Sequence, residues 1–446
     1  MSLKPQIMPF FMFFLIIFPF FCVFAQGSEL SLDDAVKLAL DYNLSLRKIE
    51  SDLAASGYSE KNIWAEVFPS ISATASAGYR NPLFSDMPRS STNPNYSVGV
   101  GVNLGLNAGI PYVMKNIKMA HQANLLRYED ARNQLSIQVT KFFYSLVAEK
   151  NNLLLLEEIF NLAERQYARS EVSFRNGLVG ELSLTQSRLS VENARYSLSA
   201  AKISHENNMT EFLALLGLGA ASGIPADKSV SLLGDVRIVK IEADAESLIK
   251  NHLPSRPDIV RNNQEIERLT NAQTQITFQN RAPSLNLSVD WNSSAFDPFS
   301  DTLSASARLS IPIDPWIPGT AREQSIYRAS GAIERAKLDL EMAENSAKTQ
   351  IRSLTALLRN SWDSVIIAKH SLEAAQRGYQ LTEHGFNNGT VEALTLQDAR
   401  NNMANARQRL LQTELSYFNM ILDLSSALNT DWKNIIQTFG VPSEEI

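Results

Sequence analysis

Two stretches, "FRNGLVGELSLTQSRLSVENAR" at 174–195 and "FNNGTVEALTLQDARNNMANAR" at 386–407, align without a gap at an offset of 212 residues. Phe, Asn, Gly, Val, Leu, Leu, Arg, Asn, Ala and Arg recur in that order at matching places. Each stretch holds an Asn-Gly stop and then a new run with helical spacing, which is the pattern of a helix-turn-helix tip. Before each tip lies a long run without proline. From Tyr112 to Asn176 there is neither proline nor glycine, and a continuous helix of roughly 65 residues would span roughly 98 Å. From Ala321 to His384 there is no proline, and the only glycines are Gly331 and Gly378. After each tip a returning helix runs as far as Leu216 or Leu428. The chain therefore reads as two very long helical hairpins, one in each half.

The far ends of the hairpins have a period of two. In 70–79, Ile71, Ala73, Ala75, Ala77 and Tyr79 alternate with Ser, Thr and Gly. In 96–106, Tyr96, Val98, Val100, Val102, Leu104 and Leu106 alternate with Ser97, Gly99, Gly101, Asn103 and Gly105. Leu285, Leu287, Val289 and Trp291 alternate with Asn286, Ser288 and Asp290; Leu303, Ala305, Ala307, Leu309 and Ile311 alternate with Ser304, Ser306, Arg308 and Ser310. Segments of about ten alternating residues suit outer-membrane strands, apolar towards lipid and polar towards a lumen. A half-buried antiparallel sheet in a soluble domain alternates in the same way. Pro-, Ser-, Asn- and Asp-rich loops join the strands into two hairpins. Four strands cannot close a barrel alone, and an open sheet edge in lipid leaves backbone groups unpaired. Either the strands lie outside a membrane or several chains share one barrel.

The repeat extends to the start of each half. Pro69-Ser70 and Pro283-Ser284 both lead from a helical run into a strand. The expected organisation is a signal peptide over 1–25, a first repeat over 26–217, a linker or equatorial segment over 218–240, a second repeat over 241–429 and a tail over 430–446. The first repeat holds a strand hairpin at 70–106 and a helical hairpin at 112–217; the second holds them at 284–313 and 319–429.

The leader has one positive charge, Lys4, an apolar centre from about Pro9 to Phe24, and Val23-Phe24-Ala25 before a cleavage point. The only cysteine of the 446 residues, Cys22, falls inside it and lacks a lipoprotein context, so no disulfide framework is expected. The net charge of −6 argues against nucleic acid, which demands a basic stripe. Past the leader, no run is long and apolar enough for a transmembrane helix. The five histidines show no i,i+4 ligand pairing, and there is no HExxH, P-loop or GxSxG, so neither an enzyme nor a cofactor is expected.

The second returning helix has a readable register. Ala399, Met403, Ala406, Leu410, Thr413, Tyr417, Met420 and Leu424 follow a 4-3 spacing, a coiled-coil seam. Asp398, Asn402, Asn405, Arg409 and Gln412 form a parallel polar stripe. An ordinary solvated outer face has the same composition.

With its opening "LSLDDAVKLALDYNLSLR", the Pro-Ser strand entries and the paired Asn-Gly-Leu (176–178) and Asn-Gly-Thr (388–390) tips, the chain resembles the TolC family of outer-membrane efflux channels. The resemblance implies a mainly α fold with β structure: a homotrimer with a shared 12-stranded outer-membrane β-barrel, four strands per protomer, continued by a long periplasmic α-helical barrel. It implies a passive export duct of a tripartite efflux or type I secretion system, set in outer-membrane lipid. Its partners would be a periplasmic adaptor and an inner-membrane pump of RND, ABC or MFS type. Gly177, Leu178, Val179, Gly389, Thr390 and Val391 are the expected adaptor contacts, because apolar or small groups occupy turns where polar ones are usual. Asp398 is the candidate gate and selectivity residue, since three-fold symmetry would make it a ring of carboxylates. The family's second tip often carries Arg at the place of Val391 and Asp at the place of Thr395, so its charged links are not reproduced in detail. The competing reading is a non-channel periplasmic coiled-coil protein with a structural or tethering role.

Overall fold

The computed structural model describes residues 29–79, 94–218, 231–233, 238–294, 300–388 and 390–441. The expected signal peptide, Cys22, Gly389 and most of the 218–240 segment lie outside them. The two helical hairpins form as the missing prolines require: α3 (Ile110–Arg175) returns as α4 (Glu181–Leu215), and α7 (Ala321–Asn387) returns as α8 (Ala393–Leu428). Pro111 opens α3, where an amide has no helical partner anyway. Thr320 caps α7, accepting from the Glu323 amide at 3.5 Å. Among the described residues no helix is long and apolar enough to cross a membrane.

The strands β2 (Ser70–Tyr79), β3 (Pro94–Asn107), β6 (Ser284–Ser294) and β7 (Ser300–Ser310) form one sheet in the order β2-β3-β6-β7, every pair antiparallel. The two hairpins are thus fused through β3 and β6, one from each repeat. The register keeps the faces separate. Ile71, Val102, Val289 and Ala305 make one row, and Ala73, Val100, Trp291 and Leu303 another on the same face. Ser72, Gly101, Asp290 and Ser304 make a row on the other face. A slip of one residue at any junction would mix the two.

The core sits at mid-length of α3 and α7 and at the C-terminal ends of α4 and α8. One cluster joins Leu30 of β1 (Glu29–Ser31), Ala35 and Ala39 of α1 (Leu32–Tyr42), Leu46 of α2 (Leu44–Lys61), Val139 and Phe143 of α3, Phe212 of α4 and Leu232 of β4 (Ser231–Leu233), which pairs parallel with β1. The other joins Ile241 of β5 (Lys240–Ile241), Leu248 of α5 (Ala245–His252), Ile351 and Leu358 of α7, Tyr417 and Ile421 of α8, and Ile435 of α9 (Trp432–Phe439). α6 (Pro257–Arg281) leads from this second cluster to β6. Over its described part the 430–446 segment is ordered: α9 is followed by β8 (Gly440–Val441), which pairs antiparallel with β5. The Tyr417 hydroxyl donates to the Val239 carbonyl at 3.0 Å and accepts from the Ile241 amide at 2.9 Å, fixing β5 to α8. Burial pushes that hydroxyl up to about 12. Tyr144 stacks edge-on against Phe418, with ring centroids 4.6 Å apart, and Lys141 pairs with Asp423, so the two halves meet between α3 and α8.

The repeat is visible in the caps. α4 ends with Leu218 N–H on the Leu213 carbonyl (2.8 Å) and Gly217 N–H on Ala214 (3.0 Å). α8 ends with Thr430 N–H on Ser425 (3.1 Å) and Asn429 N–H on Ser426 (3.3 Å), each 212 positions on. Gly217 and Asn429 take the left-handed conformation that closes this cap, with φ of 79° and 51°. A last-turn carbonyl of each helix is taken by a neighbouring element: Asn43 Nδ2 donates to Leu215 O at 2.8 Å, and Arg256 Nη1 to Ala427 O at 3.0 Å. Buried Arg256 also forks onto Asp258, at 3.0 and 2.9 Å. Burial alone would push the Asp258 carboxyl up; the hydrogen bond and charge of Arg256, with the Ile259 amide, outweigh it and hold the group below its usual range.

Arg256→Met leaves Asp258 and the Ala427 carbonyl without this donor. The expected cost is about 2–3 kcal/mol at neutral pH, below the full value for a buried pair because Asp258 keeps partial exposure. The pair contributes fully above the unfolded carboxylate value of about 3.9 and is lost as pH falls through the lower folded value. The melting temperatures of wild type and variant should therefore converge in acid. A gap that stays constant from pH 7 to pH 3 would contradict this account.

Candidate channel site: the tip turns and the polar face of the sheet

Each tip is built by a helix ending against its own last turn. After α3, Gly177 N–H bonds to the Phe174 carbonyl (2.9 Å) and Leu178 N–H to Ser173 (2.8 Å), with Gly177 at φ 72°. That crossed pair closes the helix only if the residue at the left-handed place has no Cβ or tolerates strain. After α7, Thr390 N–H reaches the Gly385 carbonyl at 2.9 Å, the same bond 212 residues on, and the Thr390 hydroxyl adds a second at 2.9 Å. A Cβ on Gly385 would lie 2.6 Å from Val391 Cγ2, so this glycine lets the second turn fold flat onto its helix. The repeat itself hid Gly385, because the matching place in the first tip is Ser173; the only signal was a glycine in the last turn of an otherwise uninterrupted helix.

The expected contact residues divide by exposure. Leu178 is 75% exposed, and Gly177 and Thr390 are exposed. Val179 and Val391 are half-buried within their turns. Gly389 lies outside the described residues. Leu182 and Leu394, at matching places in the following helices, are also exposed. Apolar groups therefore stand outward at both tips, through Leu178 and Leu182 on the first and Leu394 on the second, while Val391 packs inward over Gly385.

Asp398 is exposed in the second turn of α8, with Asn402, Asn405, Arg409 and Gln412 exposed along the same stripe. On the packed side, Leu396, Ala406, Tyr417 and Leu424 are buried. Links that sequence reading missed tie α8 to the first hairpin near the tips. Gln397 Nε2 donates to Ser190 Oγ at 2.9 Å, and Arg400 Nη1 to Gln166 Oε1 at 2.9 Å. Arg400 also lies over the Tyr379 ring, 5.7 Å from its centroid. Tyr379 donates to Glu383 at 2.6 Å; burial and that bond push its hydroxyl up, against the opposing charge of Arg400. Neither Ser183 nor Gln186, the first-tip places matching Thr395 and Asp398, enters these links.

The polar face of the sheet has its own logic. Ser76 and Ser97 share a hydrogen bond at 2.7 Å, Ser288 and Ser306 one at 2.9 Å. Gly99, Gly101 and Gly105 on β3 face Asn292, Asp290 and Asn286 on β6. A Cβ on Gly101 would meet Asp290 Oδ1 at 2.6 Å, and one on Gly105 would meet Asn286 Oδ1 at 3.1 Å. The glycines leave room for the long polar side chains to lie along the sheet. On the opposite face Ile71, Val98, Val100, Val289, Trp291, Leu303 and Leu309 are exposed.

A sheet with one apolar and one polar face, mounted on paired helical hairpins, is the architecture of an outer-membrane efflux channel subunit. The profile of the outer membrane efflux protein family matches residues 35–218 and 248–430, and the chain belongs to that family. It is an outer-membrane protein with a periplasmic extension. It is 26% identical over 422 residues to the toluene efflux pump outer membrane protein TtgC of Pseudomonas putida, covering 90% of this chain and 83% of the relative. Its fold is similar to that of the Campylobacter jejuni CmeC outer membrane channel, with a TM-score of 0.72, 18% identity and coverage of 93% and 90%. It is also similar to the open state of the Neisseria gonorrhoeae MtrE outer membrane channel, with a TM-score of 0.69, 17% identity and coverage of 90% and 89%.

Leu178→Asp should leave the melting temperature unchanged, since exposed substitutions cost within about 0.5 kcal/mol. A clear destabilisation would show that Leu178 staples the turn from within.

Proposed function

We propose that the chain is the outer-membrane duct of a tripartite export system. Three copies close one twelve-stranded barrel, and their helical hairpins continue it across the periplasm. The observation that carries this reading is the sheet register, which keeps all four strands apolar on one exposed face and polar on the other. A soluble tethering protein would have to leave that whole apolar face in water, a large exposed patch. Efflux is favoured over protein secretion because the similar curated proteins are named as efflux pump components.

The duct is passive, and energy comes from an inner-membrane pump reached through a periplasmic adaptor. The adaptor contacts are the tips, through Gly177, Leu178, Val179, Gly389, Thr390 and Val391. Leu178 is the central anchor, as an outward leucine on a turn has no internal role. Asp398 of three copies forms a carboxylate ring at the narrow end, which attracts cations.

Detergent-extracted protein should run as a heat-modifiable trimer and conduct ions in planar bilayers. Protein that is soluble and monodisperse without detergent would overturn the duct. Within the barrel, Val100→Arg should cost about 2–4 kcal/mol and deplete assembled trimers, whereas Asn103→Arg, on the polar face, should cost far less. Gly101 is unsuitable as the comparator because its side-chain space is already filled by Asp290. Equal loss from both variants would place lipid on neither face. In trimers that conduct, Asp398→Ala should lower cation selectivity and relieve block by multivalent cations. Unchanged selectivity and block would move Asp398 to the outer surface.

A further inference from the structure

Among the described residues of the four-stranded sheet, only two charged side chains belong to the polar face: Asp290 on β6 and Arg308 on β7. Every other described residue of that face is Ser, Thr, Asn or Gly. The two charges do not neutralise each other. Arg308 shares its row with Gly105 and Asn286, next to the row of Asn107, Ser284 and Ser310 where the strands give way to the helices. Asp290 lies four residues beyond Asn286 on β6, roughly 14 Å further along the strand. It also leans away from β7. Its Oδ1 lies 2.6 Å from the place that a Cβ on Gly101 would take, so the carboxylate is laid over β3. Asn286 leans the same way, with its Oδ1 3.1 Å from the place of a Cβ on Gly105. Arg308 is left exposed, with no hydrogen bond or ion pair to any described residue.

Closing the barrel does not supply the missing partner. The free edge of β7 can be covered only by β2 of the next copy, the other unpaired edge of the sheet. The polar face of β2 is Ser70, Ser72, Thr74, Ser76 and Gly78, without a carboxylate. Whatever the register of that join, no acidic residue of the strands comes to lie beside Arg308. Three copies repeat the arginine at one height, just inside the end where the helical tube opens into the barrel. A guanidinium stays charged at any physiological pH, and its planar fork of donors matches carboxylates and phosphates. At physiological salt the field of a charge is screened over about 8 Å. Asp290 is therefore more than one screening length from the Arg308 of its own chain, and the arginines act as a separate element of the lumen.

We infer that Arg308 of three copies forms a cationic ring at the helical end of the barrel, a step that favours small anionic solutes bearing carboxylate or phosphate groups. This rests on the trimer reading and adds to it the residue that sets charge preference inside the barrel. The test is the reversal potential of purified channels in planar bilayers under a KCl gradient, with chloride as the anion probe. At about 0.1 M salt, where the Debye length is about 10 Å, Arg308→Gln should raise the ratio of potassium to chloride permeability about twofold. At about 1 M, where the Debye length is about 3 Å, that difference should vanish. Arg308→Lys keeps the charge and should match wild type. Asn286 pairs directly with Arg308 across the strands, so Asn286→Asp sets a carboxylate beside each guanidinium and should reproduce the Arg308→Gln shift with the arginine still present. That second variant carries the test if Arg308→Gln fails to assemble. Conducting trimers in which neither Arg308→Gln nor Asn286→Asp moves the ratio overturn the ring and leave the duct standing. So does Arg308→Lys behaving like Arg308→Gln, or a shift of equal size at both salt concentrations. Wild-type protein that forms no conducting trimer overturns the duct and the ring together.

Discussion

Backbone amides and carbonyls on the outer edges of β2 and β7 have no strand partner among the described residues. In hydrocarbon each unpaired group costs several kcal/mol, because no water is present to replace the missing bond. An even number of strands leaves the two edges antiparallel, so identical sheets can join edge to edge without a change of direction. The apolar face would otherwise have no reason to exist, and the polar face could not enclose anything. The long helices inherit the same constraint: whatever closes the sheet sets their flanks side by side.

The internal duplication is a solution to geometry more than a record of composition. Both returning helices end 212 residues apart in the same crossed cap, and in both a last-turn carbonyl is taken by the residue that caps another helix, Asn43 before α2 and Arg256 before α6. The residues differ. Gly217 must be glycine because a Cβ would collide with the Tyr42 carbonyl, whereas Asn429 takes the same left-handed conformation and its side-chain oxygen accepts from Asn133 Nδ2 at 3.3 Å. Asn43 does its work with an amide, and Arg256 does the same with a guanidinium that then needs Asp258. The backbone plan is repeated while the side chains diverge.

At the tips the two halves are not interchangeable. The first hairpin offers Leu178 to the outside and makes no polar link of its own through Ser183 or Gln186. The second carries Arg400, which reaches the first hairpin at Gln166 and covers Tyr379. The links through Gln397 and Arg400 stand beyond Val391 and Thr395 along the second tip and its returning helix. A residue-by-residue transfer from relatives would have missed them, because they depend on which helix faces meet across 234 residues of chain.

Much of the fold was legible in the residues. Strand faces follow from period two, helix lengths from the absence of proline, tip positions from Asn-Gly, and the buried side of α8 from a 4-3 spacing that ends in Tyr417 and Leu424. These are local consequences of backbone stereochemistry and burial, so the sequence by itself determined them. The order β2-β3-β6-β7, the parallel pairing of β1 with β4, and the use of 432–441 as a helix and closing strand were not legible. Each joins segments far apart in the chain, and no local pattern encodes the partner. The same holds at the site. That Leu178 stands outward, that Gly385 must be bare beneath Val391, and that Arg400 finds Gln166 were settled only by the folded chain. Sequence period fixes which side of an element is apolar; only the meeting of elements decides what that side touches.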